Sequence, residues 1–169
     1  MDTRKFLIAA AMAAAAVPAP AFAAPVSATT DASGRALILI PLTLTKVDDL
    51  NFGSVIPSAT SGTISIAADG SGQSTTGGVT PLASDPGARA LFAGAGSAGE
   101  QVMIFLAPPV SLGDGAGHSM PISLSLESSR ITIGSTRAFF VGIGGTVTVA
   151  ANQVEGVYTG TFTVLAQYN

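Results

Sequence analysis

No cysteine and no tryptophan occur in the 169 residues, histidine occurs once, tyrosine twice, and charged residues make up only 10%. Each shortage excludes something. Without cysteine there is no disulfide framework, thiolate nucleophile or thiolate zinc site, although an exported chain could have used disulfides. Stability must then come from burial and sheet hydrogen bonds. The lone histidine, His118, cannot build a multi-histidine metal site, and in its Gly-rich loop a solvated side chain is expected. The lack of tryptophan and the scarcity of tyrosine remove the aromatic platform of a glycan site. Seven Lys and Arg face ten Asp and Glu with no basic cluster, which argues against nucleic acid as a partner. Ordinary soluble domains are about 25% charged, so here Ser, Thr, Gly and Asn must keep the surface wet.

The N-terminus is organised as an export signal. Arg4 and Lys5 precede an apolar, alanine-rich run over residues 6–17; Pro18 and Pro20 break it, and Ala21-Phe22-Ala23 supplies a small-x-small cleavage site. This is the pattern of a bacterial secretory signal peptide over 1–23. About a dozen apolar residues fall short of the roughly 20 that span a bilayer. The expected location is the periplasm, the medium or the cell surface, with no membrane span in the mature chain. Cleavage would leave 146 residues with nine acidic and five basic side chains, enough for one domain with a core. Residues 24–34, small and polar, read as a flexible leader, and 35–169 as the domain.

Within the domain the dominant signal is alternation. The closing stretch 156–169 reads GVYTGTFTVLAQYN, with Tyr158, Gly160, Phe162, Val164, Ala166 and Tyr168 on one face and Thr159, Thr161, Thr163 and Gln167 on the other. That spacing of two predicts a long half-buried strand. A tyrosine buried there can bond a nearby backbone group as a corner. Residues 36–45, ALILIPLTLT, predict a first strand, placed at an edge or bulged by Pro41. A polar turn is expected at 46–49; then Phe52 reads as a core plug and Gly53 as a bend. Strands are expected over 63–68, 79–82, 89–93, 101–107, 120–127, 131–133, 137–141 and 145–150, with 69–78 as a loop or a hairpin tip. About seven to nine short strands without a helical period predict an all-β antiparallel sandwich.

No constellation predicts a reaction or a cofactor. Residues 94–99 match G-x-G-x-x-G as a string, but a strand pattern follows where a dinucleotide site needs a helix. Asp69 and Asp114 lie among glycines without the regular oxygen ligands of a calcium loop, and turn geometry accounts for them. Asp48 and Asp49, adjacent on a strand, would face opposite sides. A non-enzyme is therefore expected.

Two groups of residues resemble a known family. Leu50-Asn51-Phe52-Gly53 follows an alternating strand, and the 145–149 stretch GTVTV precedes Gly156-x-Tyr158-x-Gly160-x-Phe162-Thr163-Val164 and a final Tyr168. The pattern resembles the secreted bacterial family known as domain of unknown function 4402 and, more distantly, fimbrial subunits of the spore-coat-protein-U type. The resemblance implies an immunoglobulin-like, pilin-like sandwich displayed outside the cytoplasm, with further copies of itself or a periplasmic chaperone and usher as partners. Fimbrial subunits of that type carry a cysteine pair, absent here, and donate an alternating apolar arm to the next subunit. Residues 24–34 offer only Val26 for that purpose, and 36–44 are assigned to the domain's own first strand. The expected function is a structural or adhesive surface protein assembling through strand edges. The alternatives are a secreted binding module for glycans or other surface ligands and, less favoured, a small outer-membrane barrel.

Overall fold

A computed structural model describes residues 30–109 and 111–169. The predicted signal peptide lies outside the described residues, as does the leader up to residue 29. The chain divides into Met1–Ala36 and Leu37–Asn169. Of the first unit, residues 30–36 are described, and they are exposed without regular structure.

The second unit is all-β, with no helix among the described residues. Its strands are β1 (Thr43–Asp48), β2 (Val55–Ile56), β3 (Gly62–Ile66), β4 (Gln73–Gly77), β5 (Thr80–Pro81), β6 (Ala90–Ala95), β7 (Gln101–Ala107), β8 (Ser111–Gly113), β9 (Ser119–Leu126), β10 (Arg130–Thr132), β11 (Ala138–Val149) and β12 (Thr163–Tyr168). All pairings are antiparallel. β11 is the axis of the larger sheet. Ile143 pairs with both Ala90 and Leu126, and Gly145 with both Ile66 and Leu124. Hence β6 and then β3 follow one another along one edge of β11, while β9 covers the other. β1 extends the sheet beyond β6, β4 beyond β3, and β8 beyond β9. A smaller sheet in the order β10-β7-β12 faces it.

The core between these layers is apolar. Ala90, Phe139, Val141 and Ile143 of the large sheet meet Val102 and Ile104 of β7 and Ile133 beyond β10. Phe92 and Phe162 add an edge-to-face pair with centroids 6.3 Å apart, a geometry their quadrupoles favour. Period-two patterning correctly placed β3 and β9, and a continuous apolar run placed β7; in β9 Met120, Ile122, Leu124 and Leu126 are the less exposed row.

Five expectations change. The strand expected at 36–45 begins only at Thr43 and runs through the expected turn to Asp48, with a bulge between Lys46 and Asp48. Pro41 has no N–H to offer a ladder, so pairing starts beyond it. The closing strand is Thr163–Tyr168 alone, and 156–162 is irregular apart from one bridge at Thr159. Of the loop or hairpin tip expected over 69–78, only the first residues are the tip of a β3–β4 hairpin, because residues 73–77 hydrogen-bond to β3 whatever their polarity. The strands expected at 137–141 and 145–150 are one continuous twelve-residue strand. Among the described residues the count is twelve, the unexpected β2 and β8 being only two and three residues long.

Glycine explains the continuity of β11. A Cβ at Gly144 would collide with the carbonyl oxygen of Ile66 and lie 2.6 Å from the nitrogen of Ala68, and one at Gly142 would collide with the carbonyl oxygen of Ala68. The chain leaving β3 therefore crosses directly over this face of β11. Arg89 fastens the crossing, donating to the Ala68 carbonyl at 2.6 Å and to Glu127 at 2.9 Å.

Candidate functional site

A second apolar cluster is less completely closed. Ile64, Val79, Leu112, Val147 and Val149 are buried, with Phe52, Val55, Met120, Ile122 and Tyr158 packed around them. Between these groups opens a cleft of about 680 Å³, within the range of small-ligand sites. Its charged lining residues are Asp49, Asp85 and Glu155, with no lysine or arginine among them.

One lip is the Leu50-Asn51-Phe52-Gly53 turn. The Asn51 side-chain oxygen accepts the Gly53 N–H at 2.9 Å, the Ser54 hydroxyl donates to Asp85 at 2.8 Å, and the Gln73 amide donates to the Phe52 carbonyl at 2.7 Å. Gly53 has φ +75°, and a Cβ there would collide with the carbonyl oxygen of Asp85 and lie 2.7 Å from the nitrogen of Gly87, so only glycine fits this bend. The turn sets the Phe52 ring over Gly145.

The other lip is the irregular stretch before β12. The Tyr158 hydroxyl donates to the Val154 carbonyl and accepts from the Gln153 amide, both at 2.8 Å. The expected tyrosine corner is therefore present, though outside the strand. Gly113 and Thr159 exchange two backbone hydrogen bonds of 2.8 Å. A Cβ at Gly160 would lie 2.9 Å from Leu112 Cδ2, so this glycine allows the stretch to press onto β8.

Beside that lip His118 is not merely solvated: its Nδ1 lies 2.6 Å from Asp114 Oδ2. The Asp114 side chain is only 7% exposed. Burial works against its ionisation, but bonds from the His118 ring and from the N–H groups of Ala116 and His118 outweigh it, holding the carboxyl below its ordinary value. A lowered folded-state pKa contributes stability that is present above the ordinary carboxylate value and lost as pH falls through the lowered one. The backbone amide signals of Ala116 and His118 should accordingly move together on acidification below about pH 4. NMR titration measures this.

The remaining unusual feature lies at the other pole. Residues 37–42 precede β1 as an extended arm without strand partners. Leu37 is 63% and Ile38 92% exposed, while Leu42 packs on the first core cluster. β1 separates this arm from the cleft lip at Asp49. β11 starts near the arm's pole, where Ala138 and Thr43 both pair with Ala95, and ends at Val147 and Val149 in the cleft. β12 runs from the cleft at Phe162 back to Tyr168 beside Ile40.

The Phe-Gly turn, the glycine-rich axis and the closing tyrosines all lie within residues 42–168, which match the family model "Domain of unknown function (DUF4402)". The chain belongs to the DUF4402 family. No curated protein and no solved structure matches it.

In this DUF4402 domain the residues singled out in the sequence divide between two places. Phe52, Gly53, Gly156, Tyr158, Gly160 and Phe162 line the cleft. Val164 and Tyr168 belong to the first core cluster. Asp49 pairs with Lys46 at 2.7 Å on the surface. Asp69 accepts the Ser71 N–H at 2.8 Å, a turn role. Residues 94–99 are the end of β6 and the turn into β7. The sequence reading missed Val55, Met120, Ile122, Val147 and Val149 as neighbours in one cleft, since they come from three distant segments. It also missed Ser97 as a partner of the arm. The signal available for the arm was Pro41 in the middle of an otherwise regular apolar stretch.

Proposed function

We propose that this DUF4402 chain is an exported, non-catalytic structural subunit of the cell surface that assembles with further copies of itself by strand addition. The observation that carries the reading is the pairing of opposites on one molecule. An apolar arm stands in solvent at one pole, and an apolar cleft opens at the other. Of residues 36–44, first assigned to the domain's own opening strand, 37–39 are left for such a role, because Ile40 is anchored by Ser97 and Tyr168, Leu42 packs on the core and β1 begins at Thr43. Arg35, just before the arm, complements a cleft whose charged residues are all carboxylates. An extended segment entering an open sheet layer gains main-chain hydrogen bonds along with side-chain burial. Because arm and cleft are different surfaces, the contact is head-to-tail, which builds fibres, or rings where the rotation closes, rather than two-fold dimers. A periplasmic chaperone that covers the cleft before assembly fits the same chemistry.

Sedimentation velocity on the mature protein across a wide concentration range tests this. A ladder of growing species is expected, and strictly monomeric behaviour at the highest concentration would overturn it. A second reading, a secreted binding module, draws on the same cleft, where Phe52, Tyr158 and Phe162 offer ring surface. Thermal stabilisation by one member of a glycan panel, in a protein that stays monomeric, would favour it.

A further inference from the structure

The base of the arm is held in an unusual way. The Ile40 N–H donates to Ser97 Oγ at 2.9 Å, the Tyr168 hydroxyl donates to the Ile40 carbonyl at 2.8 Å, and the Ser97 N–H donates to the Tyr168 hydroxyl at 2.8 Å. The three bonds form a closed knot joining the arm, the β6–β7 turn and the last residue of β12. Space for it is made by Gly96, where a Cβ would lie 2.6 Å from the Tyr168 hydroxyl and 2.6 Å from Ile133 Cδ1. Continuing the β1–β6 register would have paired this part of the chain through backbone groups. Side chains take both backbone groups of Ile40 instead, so the ladder stops while the chain stays anchored. Immediately beyond, Ile38 is 92% exposed.

We propose that this knot orients the arm: it fixes the root at the pole opposite the cleft and so commits the arm to a neighbouring copy's cleft rather than to its own. The inference rests on the arm-into-cleft reading above. Its physical need is a matter of length. Residues 30–42, fully extended, reach about 43 Å, whereas six-residue β1 spans about 20 Å. A released arm is long enough to fold back along its own domain, and an intramolecular partner at high effective concentration outcompetes a dilute neighbour. Tyr168 and Ser97 are thus positioning residues, and Gly96 keeps their place open.

The test uses the full mature chain with Tyr168→Phe, and separately Ser97→Ala, which removes the Ile40 N–H acceptor while leaving Tyr168 in place should the first variant fail to fold. Because the chain is cysteine-free, Ser33→Cys, just ahead of the arm, and Ala151→Cys, exposed beside the cleft but outside its lining, accept a pair of spin labels without background. At equal concentration the polymer-to-monomer mass ratio should fall at least threefold in each variant. The remaining monomers should show a new short distance between the two labels, absent from unaltered monomers. A variant that melts earlier yet assembles to the same extent, with no short distance, gives the knot a merely structural role and overturns the inference. A chain lacking residues 30–41 separates the two ideas. If it polymerises like the intact chain, the arm-into-cleft reading itself fails; if it stays monomeric while the knot variants polymerise normally, only the orienting role fails.

Discussion

Gly144→Ala is expected to lose about 3 kcal/mol or more of stability, at the upper end of what overpacking costs. The added methyl group has nowhere to go. It would collide with the Ile66 carbonyl oxygen and press on the Ala68 nitrogen, and both are backbone atoms that cannot rotate aside as a flexible side chain would. Relief requires the chain leaving β3 to lift from β11. That strains the pairs Gly145–Ile66 and Thr146–Ser65 and the Arg89 bond to the Ala68 carbonyl. Total stabilities of domains are about 5–15 kcal/mol, so a large share would vanish. Urea unfolding measures it, with the midpoint falling sharply. An exposed glycine such as Gly99, whose Cβ would meet nothing, is not a matched control because its φ is +85°. Gly134, which meets nothing and carries no such backbone angle, is matched, and Gly134→Ala should leave the unfolding free energy within about 0.5 kcal/mol of the parent. Equal midpoints for Gly144→Ala and the parent would disprove the crossing.

The second large effect is on assembly. The doubly altered chain Leu37→Glu, Ile38→Glu should keep its melting temperature, because both side chains already stand in water, and lose self-association by roughly 100-fold or more. Burying a leucine or isoleucine stabilises by about 1.5–3 kcal/mol each. Losing both therefore removes several kcal/mol, at 1.4 kcal/mol per tenfold. The new carboxylates would also enter a cleft whose charged residues are Asp49, Asp85 and Glu155, where like charges repel. Concentration-dependent sedimentation of the variant against the parent gives the ratio. Undiminished association with an unchanged melting temperature would remove the arm from the interface and leave other strand edges as the contact.

What could be read in advance follows a physical division. Ile64 and Ile66, the row Met120 to Leu126, and the row Val164 to Tyr168 face inward as their spacing required, because alternation is a local property that survives any arrangement of neighbours. β11 was misread for the opposite reason. Gly142, Gly144 and Gly145 look like punctuation in a sequence, and only the backbone passing over them shows that they permit a close crossing. β4 was hidden because its residues are polar, and pairing with β3 rather than burial makes it a strand. The tyrosine corner was anticipated as chemistry but placed in the wrong element, since Tyr158 bonds Val154 within a loop.

The candidate site was half legible. Phe52, Gly53, Tyr158, Gly160 and Phe162 stood out as a pattern, yet nothing in their order revealed that they surround one cleft with Met120, Ile122 and Val147. That proximity depends on strands paired across dozens of residues, whose loop closure no short window encodes.

The amino-acid sequence alone determined an all-β chain with alternating faces, a cysteine-free and weakly charged surface, and a Phe-Gly bend. These are consequences of side-chain type and spacing. Only the tertiary structure decided where pairing stops: that Pro41 and the Ser97–Tyr168 knot leave 37–40 outside the sheet, that β11 serves three neighbours at once, and that a cleft remains open at the far pole. Whether a strand edge finds a partner depends on which other backbone groups reach it, and that is settled by the packing of the whole chain rather than by any segment of it.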